Sequence, residues 1–412
     1  MKLAFLLNDL QLSGGVGVAV RHARELASRH GHDVTLVLAR EQEREPWQFD
    51  GLAHLHVEGL AEARAQRFDV AISTWWETAF PLFELPAERY ACFVQSLEDR
   101  FYVPEALERP LAALTQALPG AVITEARWIA DTLAQLRPET RCRLVRNGID
   151  KQVFASPERL GVRVGAPLRI VVEGSPAVWF KGVRDAVEAV GHMREPRHLT
   201  VVTTQPDALE SDVPDAVVGP LTHAEMARLY ADSDVVLKLS RVEGMYGPPL
   251  EGFHMGATCV TTPVTGHEEY VEHGWNGLVV DWDDLRGTAR ALDLLARDRR
   301  LLHFLRSNAL ATARSWPSWE QAGTFMAAAL TAIRREPVPA YAGARQLMAD
   351  ARVELERHRG HVAERDRQRR QARPVLLLKR VPGVEWLLRA RRKPWGRRLL
   401  RPLRPLKRRL LG

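Results

Sequence analysis

Short apolar runs alternate with longer stretches of helical spacing over most of the chain. Leu3–Leu7 is the first such run. Gly14-Gly15 follow, Val18–Ser28 has helical spacing, and Gly31-His32-Asp33 precedes a second run at Val34–Leu38. That order predicts a strand, a Gly-rich loop, a helix and a strand. Further runs at Asp69–Ser73, Tyr90–Val94 and Ala121–Thr124 are short enough for buried parallel strands. Near Arg146–Pro167 the pattern breaks. Asn147-Gly148-Ile149-Asp150 is a turn signal, and Pro157, Gly161, Gly165 and Pro167 mark a linker. A second alternation then begins, with runs at Leu168–Val172, Leu199–Val202, Ala216–Val218, Val235–Leu239 and Thr258–Thr262. The helix Pro249–Met255 precedes the last of these, and Trp319–Arg335 is a later helix. Two such series joined by one linker predict two doubly wound α/β domains. Ala344–Arg370 is charged and helix-prone.

Length agrees with this division, since 412 residues exceed one ordinary core. No apolar run approaches the ~18 residues that span a bilayer. Met1–Leu7 reaches Asn8-Asp9 too soon for a signal peptide and is expected to be the first buried strand. Cys92, Cys142 and Cys259 are odd in number and far apart, as expected of reduced thiols in a cytosolic protein. The net charge of +7 hides a division. Residues 373–412 hold fourteen Lys/Arg and one acidic residue, Glu385, a net +13 that leaves −6 on the rest. The basicity therefore concerns the tail and its partner, not the fold.

The richest segment for chemistry is Glu243-Gly-Met-Tyr-Gly-Pro-Pro-Leu-Glu251. A glycine-punctuated loop, flanked by two carboxylates, leads into a helix that Pro248-Pro249 can start. It follows the run Val235–Leu239, so it sits at the carboxyl end of a strand, where open α/β sheets hold ligands. Loop N–H groups and a helix N-terminus suit a diphosphate. A carboxylate suits the vicinal hydroxyls of a ribose or a sugar. Taken alone, two glutamates at this spacing are common and read more readily as surface residues flanking a turn.

The context decides between these readings. The block from Ala231 through Glu251, with Gly256-Ala-Thr-Cys-Val-Thr-Thr, Val264-Thr-Gly-His-Glu-Glu-Tyr and His273-Gly-Trp-Asn-Gly-Leu-Val-Val, resembles the retaining family-4 glycosyltransferases of GT-B fold. Ser13-Gly14-Gly15, Gly31-His32-Asp33-Val34 and Asn147–Asp150 extend the resemblance over roughly residues 1–335. It implies an α/β GT-B fold of two Rossmann-like domains facing a cleft. The expected limits are 1–150 for the acceptor-side domain and 151–335 for the nucleotide-sugar domain with a returning helix. A charged helical extension, 336–372, and a basic amphipathic tail, 373–412, follow. The activity implied is transfer of a hexosyl or deoxyhexosyl unit from a nucleotide diphosphate sugar to a glycan or lipid-linked hydroxyl, with retention, in cell-surface polysaccharide synthesis. Alternatives are a GT-B sugar-nucleotide epimerase and a catalytically silent sugar-binding or scaffold protein.

By the same resemblance Glu251 binds the donor ribose and Glu243 contacts the donor sugar. The backbone of Met245, Tyr246 and Gly247 approaches sugar and diphosphate, Gly14 and Gly15 lie close to the diphosphate, and Lys181 neutralises it. Two departures stand out. The family's arginine is absent from Val172-Glu173-Gly174-Ser175-Pro176, so a second cation must come from elsewhere, with Arg241 as the candidate. Gln95 stands where the family often has a histidine, as in bacterial polysaccharide and rhamnosyl transferases. An amide can contact acceptor or sugar but cannot titrate.

Asp281-Trp282-Asp283 spells the D-x-D of metal-dependent transferases, but Asp283 or Asp284 is better placed to cap the helical segment Leu285–Ala296. No zinc-ligand spacing occurs. No cofactor is therefore expected, and activity is expected to be metal-independent. Gly15-x-Gly17 lacks a third glycine, Val20 standing in its place, which argues against a dinucleotide fingerprint. In the tail, Trp386, Trp395 and several leucines interleave with arginines, and Pro382, Pro394, Pro402 and Pro405 break any long helix. That composition suits an anionic membrane surface more than nucleic acid, which predicts a cytoplasmic protein peripheral on the inner face of the membrane.

Overall fold

The computed structural model describes residues 1–41, 47–161 and 165–379, with side chains through Gln368. The chain forms two bodies, Met1–Ala349 and Asp350 onward.

The first body holds two parallel sheets. β1 (Lys2–Leu7), β2 (Asp33–Leu38), β3 (His56–Gly59), β4 (Phe68–Ser73), β5 (Ala87–Val94), β6 (Ala121–Thr124) and β7 (Cys142–Leu144) form the first, in the order β3-β2-β1-β4-β5-β6-β7. β8 (Leu168–Glu173), β9 (Arg197–Val202), β10 (Ala216–Val218), β11 (Val235–Lys238), β12 (Thr258–Thr261) and β13 (Gly277–Val279) form the second, in the order β10-β9-β8-β11-β12-β13. Each order reverses once, between β1 and β4 and between β8 and β11. Crevices open at the carboxyl ends of strands at such points.

Burial follows the sequence pattern. Leu3, Phe5 and Leu7 of β1 and Leu36 of β2 lie in one core with Ala19, Ala23 and Leu26 of the helix Gly14–Ser28. Those helical positions recur at three- and four-residue spacing and form the stripe that buries itself on the sheet. The helix Trp319–Arg335 begins in a capping box, Ser318 with Gln321. Its Met326, Leu330 and Ile333 join the core of the first sheet. At the crossover the Ile149 N–H donates to the Pro317 carbonyl at 3.0 Å, and the Trp316 indole N–H donates to the Asn147 carbonyl at 2.9 Å.

Two details differ from expectation. The first helix begins at Gly14, not Val18, because Ser13 caps it by accepting from the Val16 N–H at 3.2 Å. Gly14 and Gly15 thus form a helical first turn rather than a loop. The edge strands β3 and β7 carry no continuous apolar run, so the pattern of buried strands did not reveal them.

The second body is helical to Lys379, within a helix that starts at Ala342. It therefore enters the basic tail. The expected membrane-binding segment beyond it, 380–412, lies outside the described residues. Among the described residues no helix is long and apolar enough to cross a membrane. Cys92, Cys142 and Cys259 are free thiols.

Candidate functional site

Four charged groups meet at the ends of β8 and β11. Lys181 donates to both carboxylate oxygens of Glu243 at 3.0 Å. Lys238, the last residue of β11, lies 3.6 Å from Glu243 and 3.6 Å from Glu173. Burial pushes the Glu243 carboxyl up, but Lys181 and Lys238 outweigh it and hold the group below its usual range. Burial likewise works against the Lys181 ammonium, and Glu243 and Glu173 overcome it, so its proton is held more tightly than usual. Gly182 fixes Lys181 in place. Its φ is +62°, and a Cβ there would stand 2.0 Å from the Leu239 carbonyl oxygen. Only glycine satisfies both the left-handed backbone and that approach.

The loop after Glu243 is wedged against residues of the first sheet. A Cβ on Gly244 would lie 1.7 Å from the Gln95 carbonyl oxygen. The Trp128 indole N–H donates to the Gly244 carbonyl at 2.7 Å, and the Met245 N–H donates to Glu125 at 3.1 Å. Glu125 also accepts from the Asn147 amide at 2.6 Å. Burial drives the Glu125 carboxyl up to about 8, against these hydrogen bonds and with help from Glu243 and Glu269. Tyr246 turns inward, its hydroxyl 2.9 Å from that of Thr261, while its carbonyl accepts from the Tyr270 hydroxyl at 2.5 Å. The helix Gly247–His254 then starts without a side-chain cap. Of its first three residues only Gly247 carries an N–H, because Pro248 and Pro249 have none. A Cβ on Gly247 would stand 3.7 Å from a Glu251 carboxylate oxygen, so Glu251 reaches back toward the helix N-terminus. Burial raises the Glu251 carboxyl to about 7, opposed mainly by His223.

From the first half, Gln95 donates through its side-chain amide to the Gly15 carbonyl at 3.2 Å and the Thr74 carbonyl at 3.3 Å. Nothing lies within 4 Å of a Cβ built on Gly14. That face of the first turn is open.

Lys181, Glu243, Met245, Tyr246, Gly247 and Glu251 thus gather around one loop, and Gln95 links that loop to Gly15. The Met245 N–H is committed to Glu125, and of the first three residues of the following helix only Gly247 has an N–H to offer a ligand, since Pro248 and Pro249 have none. Arg241 is not the second cation here. It pairs with Asp185 at 2.9 Å and Asp283 at 2.6 Å. Asp284 is the helix cap, accepting from the Gly287 N–H at 2.7 Å. Among the described residues, no group of three His, Cys, Asp or Glu is arranged to hold a metal ion. Sequence reasoning missed Lys238, Glu125 and Trp128. A signal existed for Lys238, a lysine inside the apolar run Val235–Leu239. None existed for Glu125 and Trp128, whose partners in the loop, Met245 and Gly244, lie more than a hundred residues away.

The two parallel-sheet Rossmann-like units of Met1–Ala349 have the GT-B fold, and residues 167–298 match the family described as Glycosyl transferases group 1. No curated protein matches by sequence. Among solved structures, HepE from Anabaena, in complex with UDP and glucose, is similar with a TM-score of 0.66 at 16% identity, covering 81% of this chain and 100% of that one. Sucrose-phosphate synthase from Thermosynechococcus elongatus is similar with a TM-score of 0.66 at 14% identity, covering 81% and 98%. WaaG, a glycosyltransferase involved in lipopolysaccharide biosynthesis, is similar with a TM-score of 0.58 at 16% identity, covering 81% and 100%.

Proposed function

We propose that this protein is a nucleotide-sugar-dependent glycosyltransferase that moves a hexosyl or deoxyhexosyl unit to a hydroxyl of a glycan or lipid-linked acceptor, with retention. The observation that carries the reading is the Lys181–Glu243 pair at the carboxyl ends of β8 and β11, beside an uncapped helix N-terminus. A cation beside the positive end of a helix suits a diphosphate, and buried carboxylates suit sugar and ribose hydroxyls. The match of residues 167–298 to group 1 glycosyl transferases supports the same assignment. So does HepE, whose structures hold UDP with glucose and UDP-glucose.

In this reading Glu251 accepts from the donor ribose and Glu243 from the transferred sugar. Lys181 neutralises the leaving diphosphate together with the Gly247–His254 helix terminus, and Gly14 and Gly15 bring the first helix turn close to it. Fixed dipoles and charges stabilise what develops at the leaving oxygens, without a metal ion. Residues 373–412 hold the protein on the anionic inner face of the cell membrane, in the service of cell-surface polysaccharide synthesis.

The test is incubation of purified protein with UDP-, GDP- and dTDP-hexoses, with nucleotide release and the anomeric configuration of any product followed by NMR. Slow donor hydrolysis with retention is expected. Epimerised nucleotide sugar would replace the transferase by an epimerase. Neither binding nor release with any donor would reject the enzyme reading.

A further inference from the structure

Lys238 closes a strand whose other residues, Val235, Val236 and Leu237, are in the core. Its side chain is 3% exposed. A lysine at such a position is costly unless it is paired. Here it has two carboxylate neighbours, Glu173 and Glu243, and Glu243 in turn holds Lys181. The charges alternate as Glu173, Lys238, Glu243, Lys181 and sum to zero.

The two lysines differ in access. The Lys181 side chain is 31% exposed, so it alone can turn to an arriving diphosphate. If it does, Glu243, with a side chain only 9% exposed, loses a partner that now touches both its oxygens. A buried carboxylate without a partner takes up a proton. The charged and titratable groups around Glu243 are Lys181, Lys238, Glu173, Glu125, Tyr246 and Tyr270. Of these only Lys238 is a second cation.

We propose that Lys238 is a positioning residue that holds the Glu243 carboxylate from beneath, so that Lys181 can exchange between Glu243 and the donor diphosphate. Lys238 thereby supplies the second positive charge that Ser175 and Arg241 do not. The inference rests on the nucleotide-sugar reading. It adds that Lys238 acts through Glu243 and never touches the ligand, and that its loss appears as a change in the pH dependence of donor binding.

The experiment uses the full chain and whichever of UDP-glucose, GDP-mannose and dTDP-rhamnose binds most tightly. Calorimetry follows Kd from about pH 5.5 to 8.5 in the wild type, Lys238→Met, Lys238→Arg and the double variant Lys238→Met/Glu173→Gln. Thermal unfolding without ligand checks the fold. The double variant keeps the cluster neutral, so it remains folded even where Lys238→Met alone does not. Losing the Glu173 charge by itself favours an anionic ligand, so weaker binding in the double variant reports on Lys238. Expected is a Kd raised about tenfold or more at the alkaline end, where binding strands a charged Glu243, and a Kd that recovers as the pH is lowered and Glu243 takes up a proton, a tenfold change corresponding to about one pH unit. Lys238→Arg, which keeps the charge, restores wild-type binding in part. A folded double variant with wild-type Kd at the alkaline end and a wild-type pH dependence would overturn the proposal. A wild type that binds none of the three donors would bring down the transferase reading and this inference together.

Discussion

Glu125 is a buried carboxyl that bridges the crossover residue Asn147 and the loop residue Met245. Burial carries its proton affinity from the ordinary 4.5 up to about 8. The native protein therefore holds a proton that the unfolded chain has already lost over that interval. The sign follows directly: stability falls as pH rises from about 4.5 to about 8, and levels off above. Each pH unit is worth about 1.4 kcal/mol, so the full span amounts to about 5 kcal/mol for this one group. Glu125→Gln removes the titration while keeping the size. Its amide cannot accept from both Asn147 and Met245, so the variant carries a constant offset. The readout is the slope. The thermal midpoint of the wild type minus that of the variant should decrease steadily between pH 5 and 8 and then stay flat. Infrared spectra offer a direct check: a protonated-carboxyl stretch lost between pH 7 and 9 in the wild type should be absent from the variant throughout. Parallel midpoint profiles, with no such band assignable to Glu125, would refute the argument.

Other expectations concern the donor, the fold and the tail. Glu251→Ala should raise donor KM by about tenfold or more, from the loss of about 1–3 kcal/mol of hydrogen bonding, and unchanged kinetics would remove Glu251 from the site. Because burial raises this carboxyl to about 7, wild-type donor affinity should weaken as pH falls below that value, and Glu251→Gln should flatten the dependence. Activity should survive EDTA, and a complete loss restored by Mg²⁺ or Mn²⁺ would overturn metal independence. Gly182→Ala should lower the melting temperature or prevent folding, since it adds about 1–2 kcal/mol of left-handed strain to a clash with the Leu239 carbonyl, and a wild-type melting profile would contradict that. Removal of residues 373–412 should release the protein from anionic liposomes, each Lys or Arg near the surface contributing about 1 kcal/mol, while donor affinity stays nearly intact; equal sedimentation of both forms would reject membrane docking.

Much of the fold was legible because parallel strands buried on both faces leave continuous apolar runs. Leu3–Leu7, Leu168–Val172 and Thr258–Thr262 are of this kind, and each is a strand within a residue or two of its predicted ends. His56–Gly59 and Cys142–Leu144 escaped notice because they lie at sheet edges and are only partly buried or exposed. The first helix starts earlier than its apolar spacing indicates, because a glycine pair ordinarily signals a loop while the Ser13 cap lies outside the apolar pattern. In the site, loop and helix residues near Glu243 and Glu251 could be anticipated, since they are contiguous. The groups that fix them could not. Glu125, Trp128 and Asn147 come from elsewhere in the chain, and one sequence carries no record of which distant residues touch.

Gln95 illustrates how the structure changes the meaning of a residue already singled out. As a candidate contact for acceptor or sugar, it offers hydrogen bonds but no titration. Its side-chain amide instead serves two carbonyls, those of Gly15 and Thr74, while its own carbonyl abuts Gly244. A neutral imidazole has one N–H and could satisfy only one of those carbonyls, whereas an amide nitrogen has two. Glutamine at this position thus ties the first turn of the Gly14–Ser28 helix to the end of β4 and braces the loop that begins at Glu243. The bracing is steric as well as polar, because any side chain at 244 would collide with the Gln95 backbone. The two halves of the site are in this way held by one residue from each. The geometry around the Lys181–Glu243 pair depends on Gln95 as a strut rather than as a proton carrier.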